Sequence, residues 1–167
     1  MRDSSQSGLV STEGGWHDPS AFLGGCVLFL VFCSRVHPLA VRACPGHYHK
    51  GMDIDCENGD DIAAAEPGTV SEQLGGEDVG YGYYREVNHG VMYVELLDGS
   101  TTSCRSATVH SRYAHVLSNP NNPVGGSSLN QGAFVGNGDC AGSSSCSHLH
   151  FEVLEGGTQV NPRNYLP

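Results

Sequence analysis

His49 and Asp53, four residues apart, and His148 and His150, two apart, are the side chains of this 167-residue sequence best placed by type and spacing to do chemistry. Two imidazoles and a carboxylate make a nitrogen–oxygen–nitrogen donor set, the kind that holds zinc and leaves a fourth position open. The spacing dictates the backbone that must carry them. On an extended strand, residues two or four apart share a face, so His49 points with Asp53 and His148 with His150. On a helix the two members of a His-x-His pair would diverge. The second fragment also alternates, with Leu149, Phe151 and Val153 on an apolar face and His148, His150 and Glu152 on a polar one. This pattern predicts a strand with its back in a core and its front in a site.

Short strands are expected along the rest of the chain as well. Turn signals recur about every ten residues, at Cys44-Pro45-Gly46, Asn58-Gly59-Asp60, Glu66-Pro67-Gly68, Asp98-Gly99, Asn119-Pro120 and Asn137-Gly138. Between them lie strands expected at 51–55, 69–72, 84–88, 92–97, 110–115, 134–136 and 148–154, and no stretch sustains a 3.6-residue period. The 23 glycines and the 16% charged fraction agree with a turn-rich, mostly β protein. The segment from Leu117 to Gly132 is loop by composition, and reads equally well as a groove wall or as a surface insertion.

The formal charge is −10 and Lys50 is the sole lysine. Such a chain has no basic surface for phosphate contacts, which argues against nucleic acid, anionic membranes and anionic wall polymers as electrostatic partners. The acidity is read mainly as a source of solubility. Seven cysteines stand at 26, 33, 44, 56, 104, 140 and 146, none in a Cys-x-x-Cys pair. Cys44 with Cys56, and Cys140 with Cys146, bracket the two histidine fragments and read as disulfide staples of an oxidising compartment; the alternative is buried, reduced thiols. The apolar run from Ala21 to Cys33 is too short to span a bilayer, which takes about 20 residues. It starts late and follows Glu13 and Asp18, so it makes a poor signal peptide. It is read as a first strand at 26–32, preceded by a disordered lead, in a poorly defined extension covering residues 1–34.

Read in order, the chain gives His49-x-Gly51-x-Asp53, Ala65-Glu66-Pro67-Gly68-Thr69-Val70, Tyr113-Ala114-His115, Gly132-Ala133-Phe134-Val135-Gly136 and His148-Leu149-His150-Phe151-Glu152-Val153. Arg35-Val36-His37-Pro38 precedes these fragments, and Asn161-Pro162 with Tyr165-Leu166 closes them. This succession resembles the M23 family of zinc peptidases, also called lysostaphin- or LytM-like peptidases, over residues 35–167. The resemblance implies a small antiparallel β-sheet core with long groove-forming loops. It also implies one zinc per chain on His49, Asp53 and His150, with His115 and His148 as catalytic histidines that do not bind the metal. The implied substrate is a peptide of bacterial peptidoglycan, cut by a monomer outside the cytoplasm, extracellular or periplasmic.

The residue types suit that chemistry. Zinc lowers the pKa of a bound water to about 7 and polarises the scissile carbonyl, while a neighbouring imidazole accepts a proton or steadies the oxyanion. His47 competes with His49 as a ligand but breaks the family spacing. His17 falls in the lead, and His37, His89 and His110 are read as surface or hydrogen-bonding residues. The sequence departs from the family at Val91 to Val109, at Tyr83 and Tyr84, and in the two cysteines of the loop before the last fragment. The alternative function is a non-catalytic M23-like zinc-binding module that binds cell wall or a protein partner. A cysteine peptidase on Cys146 lacks an electropositive setting, and a serine hydrolase lacks a Gly-x-Ser-x-Gly elbow.

Overall fold

Period-two alternation along the apolar fragments builds the sheet. A computed structural model describes residues 49–75, 80–97, 102–142 and 148–165. The expected lead, the strand at 26–32 and Cys44 lie outside the described residues. Among the described residues nine strands follow in order: β1 (Met52–Asp55), β2 (Asp61–Ala63), β3 (Gly68–Leu74), β4 (Tyr84–Leu97), β5 (Thr102–Ala114), β6 (Ser128–Leu129), β7 (Phe134–Asn137), β8 (His148–Glu155) and β9 (Thr158–Val160). A 3-10 turn, Pro162–Asn164, follows β9. The main sheet is antiparallel in the order β1-β8-β5-β4-β3-β6, with β9 paired to β8. β2 and β7 form a separate two-stranded sheet. The mostly β, antiparallel expectation is what the structure has. Among the described residues, no helix is long and apolar enough to cross a membrane.

The core lies against one face of the main sheet. Met52, Ile54, Val70, Val87, Val109, Tyr113, Leu149, Phe151 and Val153 project into it from alternate strand positions, joined by Ile62, Val116, Val135 and Tyr165. Fully burying each such aliphatic or aromatic side chain contributes about 1.5–3 kcal/mol. The opposite face of β8 is covered too, with Glu152 at 0% and His150 at 6% exposure.

Several elements differ from the sequence reading, each for a physical reason. The separate strands expected at 84–88 and 92–97 are one strand, β4, with a register shift between Asn88 and Val91. There the Asn88 side chain accepts from the Gly90 amide, so the turn-like residues make a bulge rather than a break. The segment from Thr102 to Val109, not expected as strand, extends β5 and pairs with β4 out to Leu97. β2, β6 and β9 have two or three residues each, too few to alternate visibly, and exist only through their partners. The long segment 117–132 ends as β6 on β3, at the sheet edge opposite β1, and is pinned there by Val70 through Ser127 and Gly126. Its distal half is therefore part of the sheet edge, away from the β1 side.

The buried Arg85 and the partly buried His89 generate predictions. Arg85 is fully buried, its Nη1 donates to the Tyr84 carbonyl at 3.2 Å, and its Nε and Nη2 find no acceptor among the described residues. Burial accordingly depresses its pKa. An unpaired buried cation opposes folding, so Arg85→Met is expected to raise the thermal midpoint by several degrees in calorimetry. An unchanged or lower midpoint would mean the guanidinium is compensated. His89 sits 2.8 Å through Nδ1 from the Pro67 carbonyl and 2.8 Å through Nε2 from the Ser111 hydroxyl. The carbonyl takes the Nδ1 proton, leaving Nε2 to accept from Ser111. Burial holds its pKa below the ordinary value of about 6.5. The unfolded chain thus binds this proton first, and stability falls as pH drops below about 6.5. His89→Gln, which can bridge the same partners, should lessen the decline in urea midpoint between about pH 6.5 and 5; equal slopes in parent and variant would contradict this.

Candidate metal centre and active site

The pairing of β1 with β8 assembles the centre. Asp53 lies directly opposite His150 in register, and Ala114 of β5 lies opposite His150 on its other side, where its small side chain leaves room for the ring. His49 enters from the segment preceding β1. Its Nε2 is 3.2 Å from Asp53 Oδ1, and Nδ1 of His150 is 2.9 Å from the same oxygen. One ligand atom each from His49, Asp53 and His150 lie within 4.8 Å of one another. Two imidazole nitrogens and one carboxylate oxygen this close fit a single zinc ion by donor type and number. Gly51 makes the approach possible: a Cβ there would stand 2.4 Å from the Phe151 carbonyl and 2.9 Å from His150 Nε2. The glycine of His49-x-Gly51-x-Asp53 is thus a contact requirement.

The electrostatics of the trio follow from its packing. Burial works against charge on Asp53, yet the hydrogen bond from His150 and the nearby imidazoles of His148 and His49 hold its carboxyl below the usual range. Burial likewise opposes a proton on His150. Its hydrogen bonds to Asp53 and Glu152 win, and raise its pKa above the ordinary value.

His115 and His148 stand beside the trio. Their rings are 4.6 Å apart between centroids, edge to face, and His148 Nε2 is 3.5 Å from Asp53 Oδ1. His148 shares its strand face with His150, as its spacing implies. His115 does not lie on a strand, contrary to the expectation for 110–115. β5 ends at Ala114, and His115 adopts a left-handed backbone with φ 59°. That conformation is costly for a non-glycine residue and needs surrounding support. Two loops supply it. The His115 amide donates to the Tyr81 carbonyl, its carbonyl accepts from the Asp139 amide, and Nδ1 is 2.7 Å from the Ala141 carbonyl. The loops touch backbone to backbone, since a Cβ on Gly142 would fall 2.3 Å from the Gly82 nitrogen. Because a carbonyl can only accept, Nδ1 carries the proton and Nε2 keeps a lone pair. Burial lowers the His115 pKa, and the neighbouring His148 and His150 push the same way, outweighing the Ala141 bond. The balance favours the neutral ring of His115.

A further set of residues was not singled out by sequence reasoning. Glu152 bonds to His150, Tyr81 and Arg112, and Arg112 bonds on to Glu86, which also holds His110. The signal for Glu152, Arg112 and Glu86 was charge at alternate strand positions on the polar face. Tyr81 sits in a loop, in the Gly80-Tyr81-Gly82 stretch that partly matches the family's turn, a signal that gave it no role. His89 and His110 hydrogen-bond as expected. Cys140 has a free, exposed thiol, so the expected Cys140–Cys146 staple is not made: the thiol faces solvent, while the Asp139 carboxylate accepts from the Cys140 amide. Cys56 is buried and disulfide-bonded. His47 also lies outside them.

The sequence model of peptidase family M23 matches residues 47–162, well over half the chain. The chain belongs to peptidase family M23. Solved M23 structures share its fold. The catalytic domain of the prophage-encoded M23 protein EnpA from Enterococcus faecalis, a point mutant, superposes with a TM-score of 0.57 at 22% identity, covering 80% of this chain and 95% of that one. The catalytic domain of the antimicrobial peptidase lysostaphin from Staphylococcus simulans gives 0.53 at 23% identity, covering 81% and 90%. The SpoIIQ–SpoIIIAH pore-forming complex gives 0.52 at 24% identity, covering 70% and 64%. No curated protein sequence matches the chain.

Zinc added to metal-depleted protein is expected to raise the thermal midpoint. At a hundredfold excess over Kd the gain corresponds to about 2.7 kcal/mol. Asp53→Asn and His150→Ala should each lose most of that shift in scanning fluorimetry. A shift kept in both variants would mean that the metal binds elsewhere.

Proposed function

We propose that this M23 chain is a zinc-dependent endopeptidase that hydrolyses peptide bonds in the stems or cross-links of bacterial peptidoglycan. The observation that carries the reading is His115, its Nδ1 turned to the Ala141 carbonyl so that Nε2 is left to accept, packed beside His148 and a zinc-type donor trio. His49, Asp53 and His150 would hold the ion, which supplies a Lewis acid that acidifies water and polarises a carbonyl. His115 would take the proton of the attacking water on Nε2 while Ala141 keeps Nδ1 protonated and the ring oriented. His148, on the same strand face as His150, would donate to the oxygen on which negative charge develops. A wall peptide as substrate places the activity outside the cytoplasm, in an extracellular or periplasmic setting.

A second reading is a non-catalytic M23 module that binds zinc together with cell wall or a protein partner. It is favoured by the likeness to SpoIIQ, whose structure is that of a pore-forming complex. Against it stands the company of His115 and His148 with the trio: a module that only binds has no use for a proton acceptor oriented at strained backbone cost.

The test is release of soluble fragments from purified bacterial walls, with and without a chelator, followed by mass spectrometry of the products. Chelator-sensitive release is expected, and the fragments name the bond. Zinc-loaded protein that binds walls and releases nothing would support the second reading instead. His115→Ala is expected to lose at least about a hundredfold in rate while keeping one zinc per chain by metal analysis. Loss of the metal in that variant would show that His115 is a ligand.

A further inference from the structure

The imidazole of His150 is gripped at both ends. Nδ1 faces Asp53 within the donor trio at 2.9 Å, and Nε2 faces Oε1 of Glu152 at 3.3 Å. Glu152 is itself fully buried and held from two more sides. The Tyr81 hydroxyl donates to the same Oε1 at 2.6 Å, and Arg112 Nη1 donates to Oε2 at 2.7 Å. Arg112 is fixed in turn by Glu86, whose Oε2 accepts from Nε and Nη2 at 3.2 and 2.9 Å. Its guanidinium also lies against the rings of Tyr81 and Tyr84, 5.3 and 5.1 Å from their centroids. The strand entering β1 closes the remaining side, since a Cβ on Gly51 would come within 2.8 Å of Glu152 Cγ and 2.9 Å of His150 Nε2.

We propose that Glu152 is the positioning residue of the metal centre: accepting the Nε2–H of His150, it fixes the tautomer and plane of the ring so that Nδ1 is the ligand atom, and Tyr81 with Arg112 keeps the carboxylate in place. The proposal rests on the His49–Asp53–His150 metal reading and deepens it. An ionised carboxylate can only accept, and both ring nitrogens of His150 face one; an ion held with Asp53 and His49 would take the Nδ1 lone pair, leaving the ring proton on Nε2, where Glu152 accepts it. A metal-ligating histidine whose other N–H meets a carboxylate is a better oriented and more basic donor, and losing such an outer partner costs about tenfold to a hundredfold in metal affinity. The arrangement of donors fits this duty. A buried ion pair with Arg112 alone would occupy Oε2, whereas His150 and Tyr81 both converge on Oε1.

The test substitutes Glu152→Gln and Tyr81→Phe. Glutamine keeps the shape but turns an amide donor toward Arg112 or Tyr81, and phenylalanine keeps the ring beside His150 while removing only the hydroxyl. Zinc affinity is read by competition with a chromophoric chelator, and ligand geometry by the visible spectrum of the cobalt-substituted protein. Glu152→Gln should bind zinc about tenfold to a hundredfold more weakly with an altered cobalt spectrum. Tyr81→Phe should change both in the same direction by less. If Glu152 merely supports the fold, both variants lower the thermal midpoint of metal-free protein and keep the parental affinity and spectrum, which overturns the proposal. Should Glu152→Gln fail to fold, Tyr81→Phe decides alone, and parental affinity and spectrum there overturn it as well. A parent chain that binds no zinc overturns the metal reading and this proposal with it.

Discussion

The antiparallel register of β1 against β8 sets Asp53 across from His150, and the site depends on that pairing before anything else. Side chains alternate along a strand, so a slip of one residue would turn Asp53 into the core and bring Met52 or Ile54 against the imidazole. The register is enforced from the other face. Met52 lies opposite Phe151 and Ile54 opposite Leu149, all four buried. Each such burial contributes about 1.5–3 kcal/mol, so a slipped pairing forfeits several of them at once. The geometry of the polar face is thus held by apolar packing behind it.

On the polar face the balance is electrostatic. Asp53 and Glu152 approach His150 from opposite sides, and both carboxyls are held below their usual range against the pull of burial. His115, a few ångströms away, is pushed in the other direction by burial and by its imidazole neighbours. Groups with pKa values driven apart in one cleft are the mark of an acid–base site. The ion pair of Glu152 with Arg112 is weak evidence of stabilisation, because desolvating both charges offsets much of their attraction. Its position next to a ligand-type histidine gives it a better reason to exist. Arg85 on the core side has no such partner among the described residues.

The donor trio and the two further histidines could be named from the chain because strand periodicity and the order of five fragments constrain them. The same alternation located β1, β7 and β8 to within a residue or two. It failed where pairing rather than pattern makes the strand. β2, β6 and β9 are too short to carry a period, and β4 runs through Asn88 to Val91 because a bulge tolerates residues that look like a turn. Cysteine spacing misled at Cys140, since proximity in sequence does not orient two sulfurs toward each other.

His115 draws the line between the two levels of information. Local sequence determined that a histidine follows Tyr113-Ala114, that His148 and His150 share a face, and that two imidazoles and an aspartate are available to a metal. Only the fold decided that His115 leaves β5 with φ 59°, clamped by Tyr81, Asp139 and Ala141, and that its proton sits on Nδ1. Only the fold, too, brought Tyr81, Arg112 and Glu86 around Glu152. The reason is range: alternation is a property of neighbouring residues, whereas a backbone strained out of its strand, or a charge buried beside a ligand, is sustained by partners tens of residues away.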